Sequence, residues 1–238
     1  MAHTLGVGPA TSNGVGLTSL GVTINATTAG RSLVALCWFV DPTATLSSVS
    51  CSGESNLTLI GALQAGTIGG TRYGMQIAYL SNNTGGGNKT VTMTLSESGN
   101  NLGICAIEYA GGDTSAWYDS AEAGGTGNSS TPSVNLTTNT DSALIVGLEV
   151  NGSGDPTPGS GYTAITLPNI YWYEDGQYDL DVGAAGSKTF NFTLGGAADW
   201  VLKCAAFKVP GAAGRTTRNT HPWSLGIELG MRIGMPTT

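Results

Sequence analysis

Lys89-Thr90-Val91-Thr92-Met93-Thr94-Leu95 and Lys188-Thr189-Phe190-Asn191-Phe192-Thr193-Leu194 follow one pattern, in which apolar residues stand at every second position. Alternation of this kind is typical of a β-strand with one buried face. The two stretches lie 99 positions apart, and so do the pairs Cys105-Ala106 and Cys204-Ala205 in the next apolar segment. The sequence therefore predicts that a strand and its successor occur twice.

A third correspondence lies upstream. Ser32-Leu33-Val34-Ala35-Leu36 parallels Ser142-Ala143-Leu144-Ile145-Val146 at a separation of 110. The different separation places the change in length in the loops between the strands. We therefore predict an all-β fold, an antiparallel and jelly-roll-like β-sandwich over residues 1–210 that is built from two related halves, 17–111 and 132–210.

The composition agrees with many short strands joined by tight turns. Of the 238 residues, 37 are Gly and 11% are charged, while 40% are hydrophobic. Intrinsic disorder usually shows the opposite balance, with high charge and few apolar residues. An all-β chain of this length can form one domain with a core of its own. The Gly- and Ser-rich segment 111–132 is predicted to connect the two halves.

Charge and hydropathy restrict the partners. The formal net charge of −7 argues against nucleic acid, because phosphate recognition needs a basic surface. The N-terminal residues show neither the basic nor the long apolar region of a secretory signal peptide. The longest apolar runs, such as Leu33–Val40, have strand length and are too short to span a bilayer. We therefore predict no membrane partner.

The four cysteines are Cys37, Cys51, Cys105 and Cys204, and no two form a C-x-x-C pair. That spacing argues against a zinc or thioredoxin-like site. Most stand inside apolar strands, where a thiol acts as a small apolar side chain. The alternative is a disulfide between Cys37 and Cys105, which needs an oxidising compartment. Ser32–Val40 is apolar at odd and even positions, so we predict that both of its faces are covered.

Residues 211–238 are predicted to form a linker followed by an extended C-terminal docking arm. The arm alternates apolar residues with Gly or charged residues, which indicates a long strand with one apolar face. Its apolar positions are Leu225, Ile227, Leu229, Met231, Ile233 and Met235. Trp223 precedes them as a candidate anchor, and Arg215 and Arg218 make the tail locally basic. Docking on the chain's own sandwich and docking on a neighbouring subunit both stay open.

No catalytic constellation is evident, and we predict that the protein is not an enzyme and needs no cofactor. The two histidines, His3 and His221, lie near the termini, which argues against a Ser-His-Asp triad. The sequence has no zinc-protease or Walker A motif, and no dinucleotide-binding motif. Glycoside hydrolysis would need two carboxyls, and Glu108 and Glu149 are the candidates in strands. We expect no such activity.

The segment Tyr171–Asp181 is the best candidate for a binding site. Aromatic rings beside polar groups can stack on sugars, and clustered carboxylates can bind Ca²⁺. The candidate glycan or calcium residues are Tyr171, Trp172, Tyr173, Asp175, Asp179 and Asp181. The spacing does not match an EF-hand. A simpler interpretation is a strand whose wet face carries Gln177 and the two later aspartates, while Tyr178 and Leu180 point inward.

Five segments together carry a family resemblance. They are Ser32-Leu33-Val34-Ala35-Leu36, Ser48-Val49-Ser50-Cys51-Ser52-Gly53, Lys89-Thr90-Val91-Thr92-Met93-Thr94-Leu95, Ala106-Ile107-Glu108-Tyr109-Ala110-Gly111-Gly112-Asp113 and Ala198-Asp199-Trp200-Val201-Leu202. In these segments the chain resembles β-sandwich domains of tailed-bacteriophage virion proteins and related bacterial surface proteins. The resemblance covers roughly residues 17 to 210 and excludes the arm. It implies a decoration, fibre or tail component and no catalytic residues.

The sequence therefore predicts a structural protein of a bacteriophage virion, a capsid decoration or fibre-like subunit that assembles in the host cytoplasm through its C-terminal arm. Its partners would be other virion proteins or copies of itself. The alternative function is a carbohydrate-binding adhesion module, for which surface glycans would be the partners. A mass measurement on the native assembly separates the two, because a trimer or a particle-bound state favours the structural role.

Overall fold

The computed structural model describes residues 2–209. Within that range the chain forms antiparallel β-sheets that pack together and contains no helix, so the predicted all-β fold is confirmed. It follows that no helix of this part is long and apolar enough to cross a membrane. The predicted docking arm, with Trp223 and the basic Arg215 and Arg218, lies outside the described residues.

The strands are short in most places, with two long exceptions. In chain order they are β1 (Thr4–Leu5), β2 (Ala10–Thr27), β3 (Ser32–Val40), β4 (Leu46–Cys51), β5 (Thr58–Leu59), β6 (Gln64–Ile68), β7 (Thr71–Leu80), β8 (Gly87–Ala110), β9 (Tyr118–Ser129), β10 (Ser133–Thr138), β11 (Leu144–Asn151), β12 (Thr157–Pro158), β13 (Thr163–Thr166), β14 (Tyr173–Asp179), β15 (Gly186–Thr193) and β16 (Ala198–Phe207). We call β1–β8 the first half and β9–β16 the second half.

The first half is one sheet of eight strands that folds over on itself. At its centre β3 pairs with β7 on one side and with the later part of β8 on the other. The long strands β2 and β8 stay paired beyond this layer, so that Val22 meets Val91 in the earlier part of β8. There β4 pairs along the other edge of β8. One pair of strands therefore belongs to two layers.

The second half has the same pairing order in two separate sheets. Five strands lie in the order β13-β14-β11-β16-β9, and three lie in the order β10-β15-β12. Strand β11 lies between β14 and β16, as β3 lies between β7 and the later part of β8. Strand β15 lies between β10 and β12, as the earlier part of β8 lies between β2 and β4. This correspondence supports two related halves, while the duplication and the jelly-roll description stay predictions.

Three hydrophobic clusters join these layers into one stack. The central cluster holds Trp38 and Met75 of the first half against Leu148 and Phe207 of the second half. A second cluster lies inside the first half, where β3 and the later part of β8 face β2, β4 and the earlier part of β8. A third lies inside the second half around Phe190. The central strands of both halves are therefore covered on two sides.

Strand β3 shows this double cover directly. All nine of its residues are buried, and Leu36 belongs to the central cluster while the adjacent Cys37 belongs to the cluster inside the first half. Successive side chains of a strand point to opposite faces, so a strand apolar at every position needs two apolar neighbours. The prediction that both faces of Ser32–Val40 are covered is confirmed.

The Gly- and Ser-rich segment 111–132 differs from the prediction, because it contains strand β9 rather than only a connection. This strand pairs with β16 along its whole length. Side chains of neighbouring strands lie close to its glycines, and at Gly127 the nearest is the ring of Trp200. A Cβ atom on Gly127 would stand 2.7 Å from Cζ2 of that ring. Glycine here allows a large aromatic side chain to approach a neighbouring strand closely.

The cysteine predictions need two corrections. Cys105 lies in the central cluster and Cys204 lies in the cluster inside the second half, so their backbones are one residue out of register and they face opposite sides. The pairings define the register: Ile107 pairs with Val34, and Phe207 pairs with Leu144, the residue that corresponds to Val34. Ile107 and Phe207 are therefore the structural counterparts. The alternative of a Cys37–Cys105 disulfide is wrong. Both thiols are free and buried, and they lie on different faces of the sheet.

Candidate binding site

A pocket of about 290 Å³ opens at one end of the stack, where the two halves meet. The first half contributes the turn between β6 and β7. The second half contributes the end of β9, the turn after β11 and the start of β16. The lining residues are Ile68, Gly69, Asn128, Gly152, Ser153, Trp172, Ala197, Ala198 and Asp199. The pocket therefore combines one aromatic ring with several polar groups.

A hydrogen-bond network between the halves holds Trp172 in place. Its backbone N–H donates to the hydroxyl of Tyr73 at 3.1 Å, and that hydroxyl donates to Oε1 of Glu174 at 3.3 Å. The backbone N–H of Ile170 donates to the other carboxylate oxygen at 2.8 Å. Burial raises the pKa of Glu174 to about 7, an effect that these hydrogen bonds partly offset. The segment before β14 is thereby fixed to the first half.

The indole ring of Trp172 lies against the turn of the first half. A Cβ on Gly69, whose φ is +55°, would come within 3.0 Å of Cζ2 of the ring. The indole Nε1 is buried and has no hydrogen-bond partner among the described residues. A tryptophan N–H that lies in a protein interior usually finds an acceptor. Because this N–H is enclosed by protein, the pocket is lined by the ring of Trp172 and not by its polar group.

Asp199 carries the one charge of the pocket lining, all of which lies in the described range. Its Oδ1 accepts a hydrogen bond from Nδ2 of Asn128 at 2.8 Å. Its Oδ2 accepts a longer one from the backbone N–H of Gly69 at 3.4 Å. Both donors are neutral N–H groups, and the carboxylate retains part of its capacity to accept hydrogen bonds.

The predicted glycan or calcium residues do not form one group. Trp172 lines the pocket, and Tyr171 stands beside it with 58% of its surface exposed and its ring edge-on at 5.7 Å. Tyr173 is also exposed. Asp179 is the last residue of β14 and Asp181 follows it, and each accepts a local backbone hydrogen bond. The aromatic part of the prediction thus coincides with the pocket, and the last two aspartates do not.

A calcium site finds no support in the geometry. Among residues 2–209 no three His, Cys, Asp or Glu side chains converge as metal ligands would. The simpler interpretation of the segment also needs correction at Gln177, which is fully buried instead of wet. Its amide accepts from the backbone of Gly159 at 2.9 Å and donates to the carbonyl of Asn191 at 2.9 Å. This glutamine joins β14 to the neighbouring layer of the second half.

Glu108 and Glu149 are both fully buried, one in each half. Glu108 accepts hydrogen bonds from the Arg31 side chain, and the two form an ion pair at 2.9 Å. Glu149 has one hydrogen bond, from Asn151, and burial raises its pKa to about 8. Glycoside hydrolysis needs both carboxyls in contact with a substrate. The geometry of this pair gives that reaction no support.

The sequence did not point to Asp199, Asn128 or Ser153 as partners of Trp172. Each follows or begins a different strand, and only the pairing of β9, β11 and β16 brings their ends together. Asp199 stands next to the buried Trp200, in a segment that reads as an ordinary strand start. The one available signal was the position of a lone carboxylate at a strand end beside a Gly-rich turn, and that is weak.

A scan of the chain against protein-family models and a search among curated proteins both found no match. The resemblance in the five strand segments therefore has no support from these comparisons, and the function has to be argued from the residues themselves.

Proposed function

We propose that the chain is a structural subunit of a bacteriophage particle, a capsid decoration or fibre-like protein that assembles through its C-terminal arm. The observation that carries the proposal is the contrast between two parts of one chain. Residues 2–209 are a stack of sheets whose central strands are buried on both faces. In residues 225–235 apolar side chains alternate with Gly or charged residues, the pattern of an extended strand with one apolar face.

A rigid stack with an apolar tail suits attachment to something larger. Extended segments with one apolar face commonly bind by adding a strand to an exposed sheet edge. The described part offers such edges, since β9 and β13 are the outer strands of the five-stranded sheet. Within residues 2–209, Glu108 and Glu149 are fully buried and offer no accessible pair of carboxyls for catalysis. These points support a role in assembly.

The test is truncation after Pro210. We expect the full chain to form an oligomer of defined mass and the shortened chain to be a folded monomer. Native mass spectrometry and sedimentation measure the mass, and circular dichroism checks that the sheets remain. An oligomer of unchanged mass after truncation would remove the proposal.

A matched pair of variants locates the effect on the apolar face of the arm. Replacing Ile227 and Leu229 by Ser should reduce assembly nearly as much as truncation does, because burial of each side chain contributes roughly 1.5–3 kcal/mol. Replacing the alternate residues Glu228 and Arg232 by Gln should leave the mass unchanged. Equal losses from both pairs would contradict docking by the apolar face.

The pocket beside Trp172 favours a second candidate function, a carbohydrate-binding adhesion module. Its aromatic ring, the carboxylate of Asp199 and the amide of Asn128 are groups that bind hydroxylated rings, and the exposed Tyr171 extends the aromatic surface. A glycan array read with the full chain tests this function. We expect binding that is lost when Trp172 and Tyr173 are replaced by Ala. Binding that survives both replacements argues against it.

A further inference from the structure

We propose that the pocket beside Trp172 binds one neutral sugar unit, whose hydroxyls donate to Asp199 and accept from the surrounding N–H groups. This inference rests on the second candidate function and assigns its ligand class and its residues. The assigned residues are Trp172, Asp199, Asn128 and Ser153, which come together from four separate segments of the chain.

The hydrogen-bonding groups of the pocket require a ligand that both donates and accepts. The Asp199 carboxylate has about four lone-pair sites, and protein donors occupy two of them. Asn128 uses one amide N–H for Asp199 and retains its second N–H as a donor. The indole N–H of Trp172 is buried, so the ring surface is what this residue offers a ligand. A hydroxyl group meets both demands, because it donates one hydrogen bond and accepts others.

The charge of the pocket excludes the main competing ligands. No Lys or Arg is among the nine lining residues, so a phosphate or an acidic sugar would meet only the negative Asp199. A quaternary ammonium group could lie between an indole and a carboxylate by cation–π attraction. Such a cation has no acceptor, however, and would leave the second N–H of Asn128 unmet. A neutral polyhydroxyl ring satisfies both kinds of group.

The dimensions limit the ligand to a single unit inside the pocket. Sites for drug-sized molecules typically measure about 300–1,000 Å³. The pocket, at about 290 Å³, lies at the lower end of that range. Tyr171 stands outside it, edge-on to the indole at a centroid distance of 5.7 Å. A longer glycan would place its terminal unit against Trp172 and its next unit towards Tyr171.

The experiment measures binding of free monosaccharides to the full chain. Glucose, galactose, mannose and N-acetylglucosamine serve as neutral probes, with glucuronic acid and choline as charged ones. Saturation-transfer NMR detects binding, and calorimetry gives the dissociation constant. We expect at least one neutral sugar to bind and Asp199→Asn to weaken it about tenfold or more, since hydrogen bonds to a charged acceptor are the stronger kind.

The controls use the same chemical change elsewhere. Asp181→Asn removes an exposed carboxylate at the other end of β14 and should leave the dissociation constant unchanged. Tyr171→Ala should have little effect on a monosaccharide but weaken an oligosaccharide. Trp172→Ala should abolish binding of both. Trp172 also packs on the central cluster, so the thermal midpoint of each variant is measured. If Trp172→Ala does not fold, the result with Asp199→Asn decides whether the pocket is the sugar site.

The outcomes separate this inference from the adhesion function itself. If Asp199→Asn leaves sugar binding unchanged, the assignment of the sugar site to this pocket is wrong, while the adhesion function survives. Binding of choline or glucuronic acid alone overturns the neutral-sugar assignment. No binding by any monosaccharide, together with a glycan array that does show binding, also overturns the pocket. If neither the monosaccharides nor the glycan array show binding, the adhesion function is wrong as well. The truncation test decides the assembly proposal separately.

Discussion

Each half of the molecule buries one glutamate completely, and the two carboxyls have opposite surroundings. Oε2 of Glu108 accepts from Arg31 at 2.9 Å, and its Oε1 accepts from the backbone N–H of Thr28 at 2.7 Å and from Asn83 at 3.3 Å. Oε2 of Glu149 accepts from Asn151 alone, and its Oε1 has no partner in the described part of the chain. Equal burial thus gives two different electrostatic situations.

The difference teaches that neighbouring donors, and not depth alone, decide whether a buried carboxyl is stabilising. Glu108 has a cation and two further donors, which compensate for the loss of water. The pKa of Glu149 is raised to about 8, mainly by desolvation and to a smaller extent by the charges of Asp175 and Glu174. The first half therefore pairs its buried glutamate with a cation, while the second half has to keep its glutamate protonated near neutral pH.

The largest expected effect comes from breaking the ion pair of the first half. Glu108→Gln leaves Arg31 without its partner, and loss of one member of a buried pair costs about 3 kcal/mol at the lower end of the usual range, because Arg31 is 34% exposed. Urea unfolding at pH 7 measures the loss. Glu97→Gln, an exposed change in the same strand, should leave the midpoint in place. A Glu108 variant as stable as the parent would contradict the claim that the donors around Glu108 compensate for its burial.

The next effect has the opposite sign and depends on pH. The folded protein holds a proton on Glu149 up to about pH 8, whereas the unfolded chain releases it near the usual pKa of a glutamate. The free energy of unfolding therefore falls as the pH rises between these two values, by about 1.4 kcal/mol per pH unit from this group at most. Above pH 8 both states are ionised and this dependence ends.

Glu149→Gln should remove that dependence. The variant is neutral at every pH, so we expect it to be clearly more stable than the parent at pH 8 and nearly equal to it at pH 4. Urea unfolding at both pH values measures the difference. The same loss of stability between pH 4 and pH 8 in parent and variant would show that Glu149 is not the group responsible.

The smallest effect separates the two causes of the raised pKa. Desolvation is the larger cause and the charge of Asp175 a lesser one. Asp175→Asn should therefore lower the pKa of Glu149 only slightly and leave it well above the usual range of a glutamate. NMR titration of the Glu149 carboxyl carbon measures it. A return to the ordinary pKa would assign the shift to the neighbouring charge, and stability should change by less than about 1 kcal/mol.

The period of the apolar residues was enough to predict the sheets. Alternation at Lys89–Leu95 and continuous apolarity at Ser32–Val40 gave strand type and cover correctly, because both depend on which faces are buried. Register was harder: Cys105 and Cys204 are similar in sequence, yet a shift of one residue puts them on opposite faces. Strand β9 was missed because its glycines meet side chains from distant parts of the chain, such as Gln64 at Gly124 and Trp200 at Gly127.

The pocket could be predicted only in part. Trp172 stood out as a large aromatic residue in a polar segment, which is visible in the sequence. Asp199 and Asn128 belong to the site because β9 and β16 pair with Asn128 and Asp199 opposite each other. That proximity depends on long-range pairing, which no local pattern reports.

Strand β16 spans the distance between the pocket and the tail. Asp199 lies at its beginning, and at its end the carbonyl of Phe207 accepts a hydrogen bond from Nε2 of His3 at 3.2 Å. His3 and Phe207 thus lie at a common corner of the described fold, and the ten residues of β16 place this corner about 30 Å from the pocket. A subunit attached to a particle at that corner would hold its pocket away from the particle surface. A fluorescent label at residue 2 should then become protected from solvent when the particle forms, while a label at the rim of the pocket stays accessible.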